Sequence, residues 1–155
     1  NGKHSFYEGG IRVPFIVLGP GVKPGSVSNV PVCGVDLLPT FADLADYTSP
    51  LPDDIDGGSL RPILDSRAAA SVQRPRPFLV FHQGVDRKPI SAIRVGDYKL
   101  VKTWKENRLE LFDLSIDISE ADDLSVRMPE RTQKLDALLT KYLEEVGGYI
   151  PRSGK

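Results

Sequence analysis

The chain has 155 residues, 40% hydrophobic and 26% charged, which is room for one compact domain or two small lobes with a buried core. Lys and Arg number 20 against 21 Asp and Glu, a formal net charge of -1, so a general nucleic-acid or anionic-membrane binder is disfavoured. The longest apolar stretch, Pro14 to Leu18, is far shorter than the ~20 residues of a membrane span, and no basic-then-apolar signal segment opens the chain.

The chain starts at Asn1 rather than Met, which reads as a fragment or a processed product. After a glycine-containing polar opening, Ile11 to Leu18 is a short apolar run bounded by Gly and Pro, the pattern of a strand buried on both faces. One strand makes no sheet, so this run is expected to complete a sheet built elsewhere. Gly19-Pro20-Gly21 ends it, and Val22 to Pro31 has loop composition. A phosphate-cradling loop does not fit there, because Pro20 and Pro24 remove backbone donors and no helix start follows.

Asp36 is expected to open a helix as its N-cap, with Pro39 in the first turn and Leu37, Leu38, Phe41, Leu44 and Ala45 as its apolar stripe. The proline-rich stretch from Thr48 to Pro77, with Gly57-Gly58, reads as a long excursion holding one helical turn near Leu60 to Leu64. Four strands are predicted after it: Phe78 to His82, Ile90 to Val95, Tyr98 to Trp104 and Arg108 to Leu114. Gly96-Asp97 and Lys105-Glu106-Asn107 are hairpin turns, which makes an antiparallel meander. Leu135, Leu138, Leu139, Tyr142, Leu143 and Val146 recur at helical spacing between Pro129 and Gly147-Gly148, a helix expected to cover one face of the meander.

Between Glu106 and Asp123 seven acids face one base, Arg108. The stretch lacks the alternating ligands and glycine of an EF-hand loop, so a solvated acidic loop is expected. Self-contained nucleophilic catalysis is disfavoured: there are two histidines, His4 and His82, one cysteine, Cys33, and no Gly-x-Ser-x-Gly elbow. The single cysteine also excludes an internal disulfide and a multi-thiolate zinc site, and neither histidine has a second ligand beside it.

The segment Lys3-His4-Ser5-Phe6-Tyr7-Glu8-Gly9-Gly10-Ile11-Arg12-Val13-Pro14 resembles the Gly-Lys-x-x-x-Tyr-Glu-Gly-Gly-x-Arg-x-Pro signature of arylsulfatase-type sulfatases. The resemblance continues through Val35-Asp36-Leu37-Leu38-Pro39-Thr40, Ala92-Ile93-Arg94, Tyr98-Lys99-Leu100 and Leu111-Phe112-Asp113-Leu114. It implies the C-terminal part of an α/β sulfatase fold of the alkaline phosphatase superfamily. Residues 1–76 would end the large catalytic domain, and 77–155 would form a small antiparallel lobe with a terminal helix.

By the same resemblance the activity is sulfate-ester hydrolysis, using a formylglycine made in a Cys/Ser-x-Pro-x-Arg motif beside a calcium ion. Cys33 is followed by Gly-Val-Asp, so it does not match that motif and reads as a small buried residue. Nucleophile and calcium ligands are therefore expected in a preceding N-terminal part of the same protein, the implied partner of this chain, which alone would be inactive.

Lys3 matches the family's sulfate-contacting lysine, whose ammonium stabilises developing negative charge. Tyr7, Glu8, Gly9, Gly10 and Arg12 read as structural parts of the motif. His82 either lines the substrate pocket or is a hydrogen-bonded structural residue. Export to the periplasm or outside the cell is suggested by the family alone. Two other readings stay open: a related phosphate or phosphonate monoester hydrolase, and a stand-alone binding lobe without catalysis.

Overall fold

The computed structural model describes residues 5–65, 71–85 and 87–151. They form two compact units: the described residues up to Pro14 together with those from Phe78 onward, and the intervening Phe15–Pro77.

The first unit is a four-stranded antiparallel meander, β1 (Leu79–Gln83), β2 (Ile90–Val95), β3 (Tyr98–Thr103) and β4 (Arg108–Asp113), in that spatial order. Its strands follow the apolar runs read from the sequence to within a residue or two. Val95 pairs with Tyr98 across the two-residue turn, where Gly96 supplies a φ of +59°, a conformation that side-chain-bearing residues rarely adopt. Consecutive residues of a strand face opposite sides, so the adjacent apolar pairs Ala92-Ile93, Leu100-Val101 and Leu111-Phe112 demand a cover on both faces.

One cover is the long helix Pro129–Glu145, termed α4 once the short helices α1 (Glu8–Ile11), α2 (Leu37–Leu44) and α3 (Arg61–Leu64) are counted. Its Leu135, Leu139 and Leu143 join Ile93, Leu100, Trp104 and Leu111 in the main apolar core. Gly147, at a φ of +66°, ends the helix, and the Gly148 amide donates to the Leu143 carbonyl. The second cover is the N-terminal motif itself: Phe6 and Tyr7 pack on the opposite face, over Ala92, Val101, Phe112 and Leu114.

The second unit is built differently. Among its described residues Leu60 is the one aliphatic side chain in the buried core, while Leu38, Phe41 and Leu44 of α2 are exposed. Its centre is polar. Asp36 is the N-cap residue of α2, as expected, but its carboxylate does not cap that helix. It is wholly buried, accepts the Cys33 and Gly58 amides at 2.7 and 3.0 Å, and takes the Arg74 guanidinium on both oxygens at 2.8 and 2.6 Å. The reason is that a buried carboxylate gains more from a bidentate guanidinium than from a free helical amide that water can serve. Thr40 extends the network, donating to the Asp36 carbonyl and accepting from the Leu60 amide. Gly57 and Gly58 thread this centre: a Cβ on Gly57 would stand 2.0 Å from the Val35 carbonyl oxygen, and one on Gly58 2.1 Å from that of Gln73.

Of the Ile11 to Leu18 run, expected to complete a sheet built elsewhere, Ile11 ends α1 instead, and Phe15 to Leu18 has no regular structure in this unit, with Leu18 97% exposed. A strand needs a ladder partner, and the second unit offers no other strand among the described residues.

Burial works against the charge on Asp36, but Arg74 and the two amides outweigh it and hold the carboxyl below its ordinary value. Such a group stabilises the fold above the ordinary aspartate range, and that contribution disappears as pH falls through its lowered folded value, because the unfolded chain binds the proton first. Arg74→Met, which leaves the carboxylate buried without its cation, is expected to destabilise this unit by about 3–5 kcal/mol in urea titrations followed at the Gly58 amide. An unchanged midpoint would contradict the central role of this pair.

Candidate functional site

The motif from Ser5 to Pro14 is fastened to the small sheet by aromatic packing and by charge. Phe6 lies against Phe81 of β1, and the Tyr7 ring meets Phe112 of β4 edge-on, each pair with centroids 6.1 Å apart. The Tyr7 hydroxyl donates to Glu110 of β4 at 2.5 Å. Burial first, and then the Glu110 carboxylate, push the Tyr7 phenol above its ordinary range, so it remains a donor.

One residue further on, the chain turns into α1, where Glu8 is buried. Its carboxylate accepts the Lys99 ammonium of β3 at 2.8 Å, and Lys99 is wholly buried. Lys99 Nζ also lies 2.8 Å from Glu120 Oε1, and Glu120 Oε2 accepts the Glu8 backbone amide at 2.6 Å. Three elements far apart in sequence thus meet at one buried cation: the motif, the middle of the sheet and the loop after β4. Arg12, the other charged residue of the motif, is exposed.

Beside this anchor a surface cavity of about 570 Å³ is lined by Ser5 and Tyr7 of the motif and by Lys88, Ile90, Thr103, Glu106 and Arg108. Arg108 bonds to Glu110, so part of its charge is spent on the same carboxylate that receives Tyr7.

The acidic stretch after β4 is mostly solvent-exposed, as expected, with the Glu120 side chain as the exception. Glu120 is buried at Lys99, and Asp123 accepts the Leu111 and Ser125 amides. Asp117 accepts the Ala121 and Asp122 amides, which lowers its pKa, and Asp113 is lowered mainly by the Ser115 hydroxyl. Carboxylates spent on backbone amides build turns rather than cation sites, and no cluster of three or more His, Cys, Asp or Glu among the described residues could hold a metal ion. These acidic residues do not fit calcium, and Cys33 lacks the sequence context of a formylglycine precursor.

Lys3 lies outside the described residues. His82, on β1, has both ring nitrogens engaged: Nδ1 is 2.8 Å from the Ser91 hydroxyl and Nε2 is 2.9 Å from the Tyr149 carbonyl oxygen. A carbonyl only accepts, so Nε2 carries the proton; Trp104 donates its indole N–H to Ser91 at 2.7 Å, which lets Ser91 donate to Nδ1. One tautomer satisfies every link of this chain, which ties the segment at Tyr149 to the sheet. The Lys99 cluster is what sequence reasoning missed; a lysine between apolar neighbours in a central strand, as in Tyr98-Lys99-Leu100, is its one local signal.

A family model described as N-sulphoglucosamine sulphohydrolase, C-terminal, matches residues 2–147. The chain belongs to this sulfatase family. Arylsulfatase K of Gallus gallus is 34% identical over 145 residues, covering 88% of the chain and 26% of the relative. The chain therefore spans about a quarter of the length of the curated relatives it matches. A solved structure of a putative sulfatase from Bacteroides thetaiotaomicron superposes with a TM-score of 0.75 at 28% identity, over 93% of this chain and 32% of that one. Another, in complex with its substrate D-glucosamine-2-N,6-O-disulfate, gives 0.61 at 26% identity over 79% and 26%. The four-stranded sheet with its terminal helix is thus a C-terminal sulfatase portion, as the sequence resemblance implies. No helix among the described residues is long and apolar enough to cross a membrane.

Gly84 allows the His82 link, since a Cβ there would lie 2.3 Å from the Tyr149 carbonyl oxygen and 2.7 Å from His82 Nε2. Gly84→Ala is expected to speed proteolytic cleavage at Tyr149 by roughly fivefold or more while the sheet's circular dichroism is kept. An unchanged cleavage rate would show that the link does not hold the segment at Tyr149.

Proposed function

We propose that this chain is the C-terminal part of an enzyme that hydrolyses sulfate esters, and that it supplies Lys3 as a sulfate-contacting cation and one wall of the substrate cleft. The observation that carries this reading is the family match across residues 2–147, which includes the Lys3-to-Pro14 motif in full. The anchoring of Tyr7 and Glu8 supports it, because a lysine next to a rigid segment can be aimed, whereas one on a free tail cannot.

In this reading the nucleophile and the metal ligands belong to the preceding part of the protein. When bound there, calcium and formylglycine supply the electrophilic and nucleophilic chemistry. The part played by this chain is electrostatic: an ammonium at Lys3 offsets charge that builds on the sulfate oxygens as the ester bond breaks. Two surfaces suit contact with that larger part. One is the α2 face of Leu38, Phe41 and Leu44, and the other is the unpaired run from Phe15 to Leu18. The substrate class is a sulfated sugar, which rests on the relative solved with a disulfated glucosamine.

The test is sulfate release by the full-length protein from glucosamine sulfates and from an aryl sulfate. Lys3→Ala is expected to lower kcat/KM on the order of a hundredfold or more, the usual loss when one preorganised charge-stabilising group is removed. Turnover confined to phosphate or phosphonate monoesters would overturn the sulfatase reading, and an unaffected Lys3→Ala enzyme would overturn the role of the lysine.

A further inference from the structure

Lys99 is the largest wholly buried side chain among the described residues, and burying an ammonium is costly unless its partners repay it. It has two carboxylate partners, Glu8 and Glu120, each 2.8 Å away. Stability alone is a poor account of such a trio, since apolar side chains of similar volume hold a core as well or better. The arrangement accounts instead for geometry. Glu8 is pinned twice, by its carboxylate to Lys99 and by its backbone amide to Glu120, so both the position and the direction of the chain entering α1 are set.

The backbone at Glu120 supports this. Its φ is +56°, a left-handed conformation that costs a non-glycine residue on the order of 1 kcal/mol and persists only where surrounding contacts impose it. With the backbone in this conformation the Glu120 carboxylate meets Lys99.

We propose that Lys99 is a positioning residue of the sulfatase reaction, acting through Glu8 on the segment that carries Lys3 five residues upstream. This rests on the function proposed above. Lys99 touches no reacting atom; it fixes Glu8, in the segment that follows Lys3 along the chain. A displacement of that segment by about 1 Å is enough to cost up to a hundredfold in rate.

The test is a double-mutant cycle in the full-length enzyme, with kcat/KM per folded molecule and inhibition by inorganic sulfate as readouts. Lys99→Met is expected to lower kcat/KM by roughly ten- to a hundredfold and to weaken sulfate inhibition by a similar factor. In the Lys3→Ala background the same substitution should cost nothing further, because its effect passes through Lys3. A purely structural role would lower the folded fraction and leave the two losses independent.

Should Lys99→Met fail to fold, Glu120→Gln, which keeps the Lys99–Glu8 pair, takes its place in the cycle. Independent losses, or no loss, would overturn the proposal, and failure of both variants to fold would make the trio a folding device and overturn it as well. A wild-type enzyme without sulfate-ester turnover would remove the sulfatase reading itself, a different outcome from an active wild type that is indifferent to Lys99.

Discussion

A lysine ammonium with no access to water dictates much of the small lobe. Lys99 sits in the middle strands of the sheet, and its charge has to be met inside the protein. The carboxylates that meet it come from the motif and from the loop after β4, so the motif is an integral layer of this lobe. The sheet therefore has α4 on one face and the motif on the other, and each cover is needed because the strands are apolar on both sides. Removing the Lys99 charge leaves two carboxylates buried and unmet, which ties the motif's position to the integrity of the lobe.

The segment Phe15–Pro77 solves the same problem with the opposite balance of forces. It has few buried aliphatic side chains and depends on one buried aspartate with four hydrogen bonds. Its apolar residues lie mostly on the outside, on α2 and along the run before Gly19. Such a surface is what a piece of a larger sulfatase is expected to present, in keeping with a chain that spans about a quarter of its curated relatives.

Local pattern made the regular elements legible. The four strands, the turn at Gly96 and the helix ended by Gly147 all follow from period, turn residues and caps, because each is decided by neighbours in the chain. Long-range charge was not legible. Asp36 reads as a cap because its partner, Arg74, is 38 residues away, and Glu120 reads as one more acid in a solvated loop because Lys99 lies on a different element. The run from Phe15 to Leu18 carries a strand pattern, but pairing requires a neighbour, and this unit offers none among the described residues. The family motif, in contrast, marked a segment that is built into the lobe, though not how it is held.

The most direct test of this account is the hydrogen-exchange protection of the Glu8 amide, which donates to Glu120 in the buried trio. If the motif is a layer of the lobe, this amide is protected to the same extent as those of Leu100 and Val101 in β3 and opens only with them. Exchange at the rate of an exposed loop amide would contradict it, and would mean that the motif rests on the sheet without being fixed to it.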